Sequence, residues 1–397
     1  MTLGGRGRPA LALRWAVCLP LAALTARRLL FLAAALAAPR VVAGPDSRSE
    51  PPSVALLVPA RREAARLPGL LACLDRLSYP RARMHTILVD DASDDGTWEM
   101  LESYAAGSAR TTALREPAWS GKPAALNAGL RAAPPTDLVL VCDADQRPEP
   151  HALTALTALF ADERVAAASG YIRPRGAARA VVARYASVES WVHQLVTCAG
   201  KDRLDLNPPV LGGFCAYRRS ALDEIGHLRA GAAAEDAEVA AALTHAGWRT
   251  RFANTTVSST EVPATLADYW RQHVRWGRGI AAGGRTRPAA EAGRRVRAPV
   301  RLEASIAATA YADRALLLVA LVLAGVRLLP RALPASYLLA AAAEVLVASA
   351  RAEGAHRAPG YLLTTVTLFP LDVAASLAAV LTRRDEAEGG WRSPRAA

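Results

Sequence analysis

The chain has 397 residues, of which 52% are hydrophobic and 21% are charged. This composition excludes a disordered or fibrous protein, and the length predicts more than one domain. The formal net charge of +12 suits either nucleic acid or an anionic membrane surface. The apolar residues concentrate at about 11–43 and 302–381, so we favour a membrane partner and expect no nucleic acid.

Residues 1–50 are predicted to form an N-terminal membrane segment of one or two short helices. The stretch from Leu11 to Val42 is longer than the roughly 20 apolar residues that a span needs, but Arg27 and Arg28 lie near its middle. A central arginine costs roughly 2.5–3.5 kcal/mol on insertion. We therefore expect two short spans, or one span plus an interfacial helix, rather than one span centred on the arginines.

Residues 51–262 are predicted to form an α/β domain. The apolar runs VALLVP, HTILVD and DLVLVCDAD are typical of buried strands, and they alternate with the helical patterns LPGLLACLDRL, WEMLESYA and KPAALNAGLRAA. Such an alternation predicts a mainly parallel sheet with helices on both faces. Ligands of these sheets bind beyond the carboxyl ends of the strands, so the residues that follow each strand are the candidates for a site.

Acidic residues follow two of the predicted strands. Asp90 and Asp91 end the second run, and Asp143 and Asp145 end the third. A strand that ends in Asp is also an ordinary turn, so either end alone is weak evidence. Two carboxylates one residue apart, however, can converge on a divalent cation whose remaining positions are filled by phosphates. The third strand end therefore predicts a metal–phosphate site.

Two later segments carry further candidates. Glu235 and Asp236 open a predicted helix, where acidic residues either complement the helix dipole or expose a general base at the helix tip. The segment YWRQHVRWGRG places Gln272, Arg275 and Trp276 along one helical face. Arginine clamps phosphate and an indole stacks on a sugar ring, but the same pattern is typical of an interfacial amphipathic helix.

The remainder of the chain is predicted to return to the membrane. Residues 263–301 form an interfacial segment that ends in an Arg-rich linker, residues 302–382 form about three transmembrane helices, and residues 383–397 are a polar tail. Charged residues inside such helices usually face a protein interior or a polar conduit; here they are Asp313, Arg314, Glu344 and Asp372. Buried helices of a soluble protein are the alternative. The Arg-rich linker and the five scattered cysteines favour a cytoplasmic central domain.

Seven segments, taken in order, resemble the membrane-bound family 2 inverting glycosyltransferases, the group of the cellulose, chitin and hyaluronan synthases and ceramide glucosyltransferase. These segments are VPARRE, ILVDDASDDGT, SGKPAALNAGL, VCDADQRP, GGFCAYRRSALDEIG, AED and QHVRW. The resemblance covers about residues 53–280. It implies a nucleotide-sugar-binding domain of GT-A type, a nucleoside-diphosphate sugar donor (UDP-linked by the family's habit), and Mg²⁺ or Mn²⁺. It also implies an integral protein of the plasma membrane.

The resemblance assigns the donor side of the site. Asp91 would read the nucleotide base, with Glu63 and Lys122 in the same pocket. Asp143 and Asp145 match the family's D-x-D pair, and Asp145 would hold the cation on the diphosphate. The letters PARRE stand where the family has Pro-x-Tyr-Asn-Glu, which leaves open how the nucleoside is held.

The resemblance also assigns the acceptor side. Asp236 matches the acid of the family's Thr-Glu-Asp motif and would be the base for the acceptor hydroxyl, although Ala234 replaces the threonine. Gln272, Arg275 and Trp276 match Q-x-x-R-W, which contacts diphosphate and the acceptor sugar. Direct attack on the sugar predicts inversion of the anomeric centre.

Three functions stay open at this point. The first is transfer of a sugar to a lipid, lipid-linked or saccharide acceptor, which the few short C-terminal helices favour. The second is a processive polysaccharide synthase. The third is an inactive nucleotide-sugar-binding scaffold, which the presence of Asp143, Asp145 and Asp236 disfavours.

Overall fold

The computed structural model describes residues 7–37, 50–226, 228, 229, 232, 234–283, 295–309 and 312–381. The predicted polar tail and most of the Arg-rich linker lie outside these residues. The described chain folds into an α/β unit, against which N-terminal and C-terminal helices pack.

Eight strands form one sheet in the order β3-β2-β1-β4-β7-β6-β8-β5. In chain order, β1 to β8 are Val54–Ala60, Met84–Asp90, Thr111–Arg115, Leu138–Cys142, Arg147–Pro148, Val165–Arg175, Phe214–Arg218 and Arg249–Glu261. Strand β1 pairs in parallel with β2 and with β4, β2 pairs in parallel with β3, and β6 pairs in parallel with β8. Strand β7 is antiparallel to both of its neighbours, β4 and β6, and β5 is antiparallel to β8. The sheet is therefore mixed, and the predicted parallel order is limited to β3-β2-β1-β4 and the β6–β8 pair.

Fourteen α-helices are formed by the described residues. In chain order, α1 to α14 are Gly7–Leu36, Leu67–Asp75, Thr97–Ala106, Lys122–Ala132, Ala152–Thr157, Val181–Trp191, Ala199–Arg203, Arg219–Ile225, Glu235–His245, Leu266–Gly283, Ala298–Ala308, Ala312–Gly325, Ala332–Glu353 and Ala358–Leu381. A π-helical stretch, Val192–Cys198, joins α6 to α7.

The sheet is covered on both faces, as the continuous apolar strands predict. Leu56 of β1 belongs to one core cluster, together with residues of α2, α3 and α5, and its neighbour Leu57 belongs to a second cluster with residues of α4 and α9. Successive side chains of a strand point to opposite faces, so a strand that is apolar at every position must be covered twice. Each fully buried leucine contributes about 1.5–3 kcal/mol to the stability of this arrangement.

The N-terminal segment forms one helix of 30 residues, which is longer than the short helices expected from the sequence. Its arginines have partners on other helices: Arg27 lies 2.6 Å from Glu303, and Arg28 forms ion pairs with Glu344 and Asp313. These carboxylates offset the cost that argued against a single helix. Among the described helices, two stretches are long and apolar enough to cross a membrane, Arg14–Leu36 and Ala332–Glu353.

Candidate active site

A buried lysine brings together segments that are far apart in the sequence. Lys122 begins α4 directly after Gly121, whose φ of +86° favours glycine, and its side chain is 6% exposed. Its Nζ lies 2.7 Å from Oδ1 of Asp143, 2.6 Å from Oε1 of Glu235 and 3.4 Å from the carbonyl oxygen of Gly212. Burial alone would lower the pKa of Lys122, but the two carboxylates raise it above its ordinary value. The two carboxylates therefore favour the charged ammonium group.

The D-x-D carboxylates lie just beyond the carboxyl end of β4. The backbone N–H of Asp143 donates to the carbonyl of Gly213 at 2.9 Å, which fixes the turn. Burial raises the pKa of Asp143 to about 7, in spite of the opposing charge of Lys122. The carboxylate of Asp145 accepts a bond of 3.1 Å from the hydroxyl of Thr260.

The donor set at this turn fits a hard divalent cation. Asp143 and Asp145 both offer carboxylate oxygens, the ligands that Mg²⁺ and Mn²⁺ prefer. Burial is the main cause of the raised pKa of Asp143, and the charges of Asp145 and Glu235 raise it further. A cation bound at this turn would favour the ionised carboxylate.

The predicted base, Asp236, lies in the first turn of α9. Its Oδ2 accepts a 2.8 Å bond from the N–H of Gly212, and its Oδ1 accepts a 2.8 Å bond from the N–H of Ala237. Burial, and then the charge of Glu235, raise the pKa of Asp236. A cavity of about 20 Å³, lined mostly by apolar side chains such as Leu126, lies beside it.

The neighbouring acids of α9, Glu235 and Asp236, have pKa values that are shifted in opposite directions. Burial would raise the pKa of Glu235, but the ion pair with Lys122 outweighs burial and lowers it, whereas the pKa of Asp236 is raised. Adjacent carboxyl groups whose pKa values are pushed apart take different roles. This arrangement suits Glu235 as a counter-ion for the lysine and Asp236 as a proton acceptor.

A pair of glycines makes room for the site, and sequence reasoning gave them no role. A Cβ on Gly212 would lie 2.6 Å from Oδ2 of Asp236, and a Cβ on Gly213 would lie 2.6 Å from Nε2 of Gln146. Any side chain at either position would displace these polar groups. The signal in the sequence is the Gly-Gly pair that directly precedes the apolar strand β7.

Asp91 and Glu63 are buried and engaged within the protein. The Asp91 carboxylate accepts bonds from the N–H and hydroxyl of Ser120, at 2.8 and 3.0 Å, and from the N–H of Gly121, at 2.9 Å. It therefore positions the loop that precedes α4. Base reading by Asp91 stays a prediction. Glu63 is 3% exposed and pairs with Arg66.

The Q-x-x-R-W residues lie on α10, which packs against α9. The charge of Arg275 is close enough to Glu235 to lower the pKa of that carboxyl. Trp276 is 40% exposed, and its ring meets the His273 ring at a centroid distance of 5.2 Å, whereas Gln272 is half-buried. The structure thus brings Arg275 to the carboxylate cluster and leaves the indole accessible to a ligand.

Comparison with known proteins assigns the family. Residues 51–279, more than half of the chain, match the domain described as "Glycosyltransferase like family 2". The chain belongs to this family. It is 30% identical over 238 residues to "Probable glycosyltransferase YdaM" of Bacillus subtilis (59% of this chain and 56% of that protein). It is also 30% identical over 245 residues to an "N-acetylglucosaminyltransferase" of Mesorhizobium japonicum, covering 59% and 57%.

The fold agrees with this family. A solved structure, "Mannosyltransferase PcManGT from Pyrobaculum calidifontis in complex with GDP-Man and Mn2+", is 23% identical. It superposes with a TM-score of 0.61 over 93% of this chain and 99% of that one. The α/β domain with its mixed sheet is therefore GT-A-like. The chain spans somewhat more than half the length of the curated relatives named above.

Proposed function

We propose that this glycosyltransferase moves a sugar, with inversion, from a nucleoside-diphosphate sugar to a hydroxyl of an acceptor at the membrane. The observation that carries the proposal is the convergence on Lys122. Its Nζ contacts both Asp143, of the D-x-D turn, and Glu235, the neighbour of the candidate base. In this proposal, Lys122 holds the leaving-group site next to the proton acceptor.

The donor side stabilises the leaving group. Asp143 and Asp145 would hold Mg²⁺ or Mn²⁺, and the cation would neutralise the negative charge that develops on the diphosphate. Arg275 adds a guanidinium, which suits phosphate oxygens. Because these charges are fixed before the reaction, they favour the transition state more than the intact donor.

The acceptor side removes a proton. Asp236 accepts the proton of the acceptor hydroxyl as its oxygen bonds to the anomeric carbon and the bond from that carbon to the diphosphate breaks. An aspartate of ordinary pKa is a weak base toward an alcohol, and the raised pKa of Asp236 improves the match. Attack from the face opposite the leaving group inverts the anomeric centre.

The relatives and the apolar helices support the proposed donor and acceptor. We propose a UDP-sugar as the donor. UDP-N-acetylglucosamine is tested first, because a 30% identical relative is named N-acetylglucosaminyltransferase. The acceptor is a lipid, lipid-linked or saccharide hydroxyl at the cytoplasmic face of the plasma membrane. Two stretches with the length and hydropathy of spans support the membrane location, as do exposed apolar side chains such as Leu339 of α13, which is 70% exposed.

A processive synthase is the second candidate. A relative named "Poly-beta-1,6-N-acetyl-D-glucosamine synthase", from Staphylococcus aureus, is 25% identical over 232 residues. Product length separates the two functions. A labelled donor gives one or a few added sugars in the first case and a ladder of high polymer in the second.

The test is a donor screen with the purified, detergent-solubilised full chain. Release of nucleoside diphosphate is followed for UDP- and GDP-linked sugars with Mg²⁺ or Mn²⁺, in the presence of membrane lipid extract. We expect release with one donor class, its loss in Asp236→Asn, and wild-type release in Glu102→Gln, an exposed carboxylate of α3. If no donor is consumed while nucleoside diphosphates still bind, the chain is a scaffold and the proposal is wrong.

A further inference from the structure

A second group of titratable side chains, two of them buried and the third, Glu189, 25% exposed, lies where the Q-x-x-R-W helix packs against α6 and α14. Glu189 of α6, His273 of α10 and Asp372 of α14 each offer one ligand atom, and these three atoms lie within 4.8 Å of one another. His273 is 6% exposed and Asp372 is 2% exposed. The reaction proposed above uses none of the three, so the cluster needs another explanation.

The orientation of the His273 ring leaves one nitrogen directed at a carboxylate. Its Nδ1 lies 2.9 Å from the carbonyl oxygen of Tyr269, which only accepts hydrogen bonds, so Nδ1 carries a hydrogen and donates. In the neutral ring, Nε2 then has a lone pair, and it lies 3.2 Å from Oε2 of Glu189. Two electron-rich atoms at this distance repel, so a proton or a cation must lie between them. Metal-binding histidines typically have such an Nδ1 contact.

Two unsatisfied carboxylate oxygens favour a cation between these groups over a proton on His273. Within the part of the chain that the structure describes, Oε2 of Glu189 and Oδ1 of Asp372 are buried and accept no well-formed hydrogen bond, and the hydroxyl of Tyr269 beside Glu189 is also unsatisfied. Arg314 binds the other oxygen of Asp372, Oδ2, at 2.5 Å, and so leaves Oδ1 unsatisfied. A proton on His273 would satisfy Glu189 alone. A divalent cation would satisfy Glu189, Asp372 and the imidazole together, and buried anionic oxygens are normally paired or bound to metal.

We propose that Glu189, His273 and Asp372 bind a divalent cation at a site separate from the D-x-D pair. One imidazole and two carboxylates form the mixed nitrogen and oxygen donor set that suits Zn²⁺ and Mn²⁺ rather than Ca²⁺ or Mg²⁺. The three ligands come from three helices, so the cation fastens α10 to α6 and α14. It thereby fixes the helix that carries Arg275 and Trp276. Metal binding itself is independent of the proposed transfer reaction.

The test counts the cations on the full chain in detergent. After chelation and reloading with Zn²⁺, bound metal is measured by mass spectrometry on gel-filtered protein, with Asp145→Ala used to remove the other site. We expect about one Zn²⁺ per chain in Asp145→Ala. Adding His273→Gln should weaken Zn²⁺ binding at least tenfold, whereas adding His245→Gln, an exposed histidine of α9, should not.

A spectroscopic readout keeps the test valid if His273→Gln disturbs folding. Mn²⁺-loaded Asp145→Ala protein, in which the cluster is intact, should show coupling to an imidazole ¹⁴N in pulsed EPR, since the D-x-D pair offers no nitrogen ligand. Absence of both bound Zn²⁺ and ¹⁴N coupling in Asp145→Ala overturns the proposal and leaves a protonated His273. Retention of the metal in folded His273→Gln also overturns it. A failed donor screen changes neither readout.

Discussion

Replacing Lys122 by methionine tests the centre of the site. Methionine keeps the length of the side chain and removes the ammonium group that contacts Asp143 and Glu235 at 2.7 and 2.6 Å. Two carboxylates then face each other in a poorly solvated place without their counter-ion. Removal of one partner from a buried ion pair costs about 3–5 kcal/mol of folding free energy. For a domain of this size, that loss lowers the Tm by about 6–20 °C.

The assay is thermal unfolding of the full chain in metal-free buffer, followed by tryptophan fluorescence. Arg62→Met is the matched control, because Arg62 also pairs with a carboxylate, that of Asp94 at 2.7 Å, but on the exposed surface. Such pairs contribute little, so its Tm should barely change. Added Mn²⁺ should restore part of the loss in Lys122→Met, since a cation replaces the missing charge. Equal Tm values for the two variants would refute the central role of Lys122.

Three further predictions concern catalysis. Asp236→Asn should lower kcat by about 10²–10⁴-fold while the Kd for nucleoside diphosphate is unchanged; retention of a tenth of wild-type turnover would exclude Asp236 as the base. A protonated carboxyl cannot accept a proton, so kcat/KM should fall as the pH drops through the pKa of Asp236, which is raised above the ordinary aspartate value of about 4. A pH–rate profile that stays flat down to about pH 4 would contradict this. Gly212→Ala should reduce turnover but preserve Mn²⁺-dependent binding, because the new Cβ would lie 2.6 Å from Oδ2 of Asp236; Gly107→Ala, at the residue that directly follows α3, is the control, and equal rates would count against the geometry.

The sequence predicted the parallel half of the fold because that half follows from local pattern. The apolar runs at 54–59 and 85–90 lie within β1 and β2, which extend them by one residue each. The third predicted strand, 137–145, is observed as Leu138–Cys142, because the chain turns at Asp143. The antiparallel half could not be predicted in this way. Its pairings join β4, β6 and β7, which are far apart along the chain, and alternation within a segment does not reveal such partners.

The placement of the candidate site residues could be predicted only in part, because local pattern again reveals no long-range contacts. Strand ends identified Asp143 and Asp145, and a helix start identified Asp236, but the meeting of Asp143 and Glu235 at Lys122 depends on tertiary packing. The bond from Thr260 to Asp145 joins residues 115 positions apart, and no local signal indicates it.

The length of the N-terminal helix could not be predicted from the local sequence, because the cost of its arginines depends on distant partners. Arginines in the middle of an apolar stretch are costly unless they are paired. The partners of Arg27 and Arg28 on Glu303 and Glu344 lie 276 and 316 positions away. These pairs accompany the observed helix of 30 residues, and the local sequence does not reveal them.

Calorimetric titration of nucleoside diphosphate, with and without Mn²⁺, tests most directly whether the D-x-D turn forms a cation-dependent donor site. Wild-type protein and Asp145→Ala are compared in the same detergent. We predict that Mn²⁺ tightens binding to the wild type at least tenfold, equal to about 1.4 kcal/mol, and leaves the affinity of Asp145→Ala unchanged. Equal affinity in the two proteins, with Mn²⁺ present or absent, would contradict the assignment of this turn as the place where the diphosphate is held.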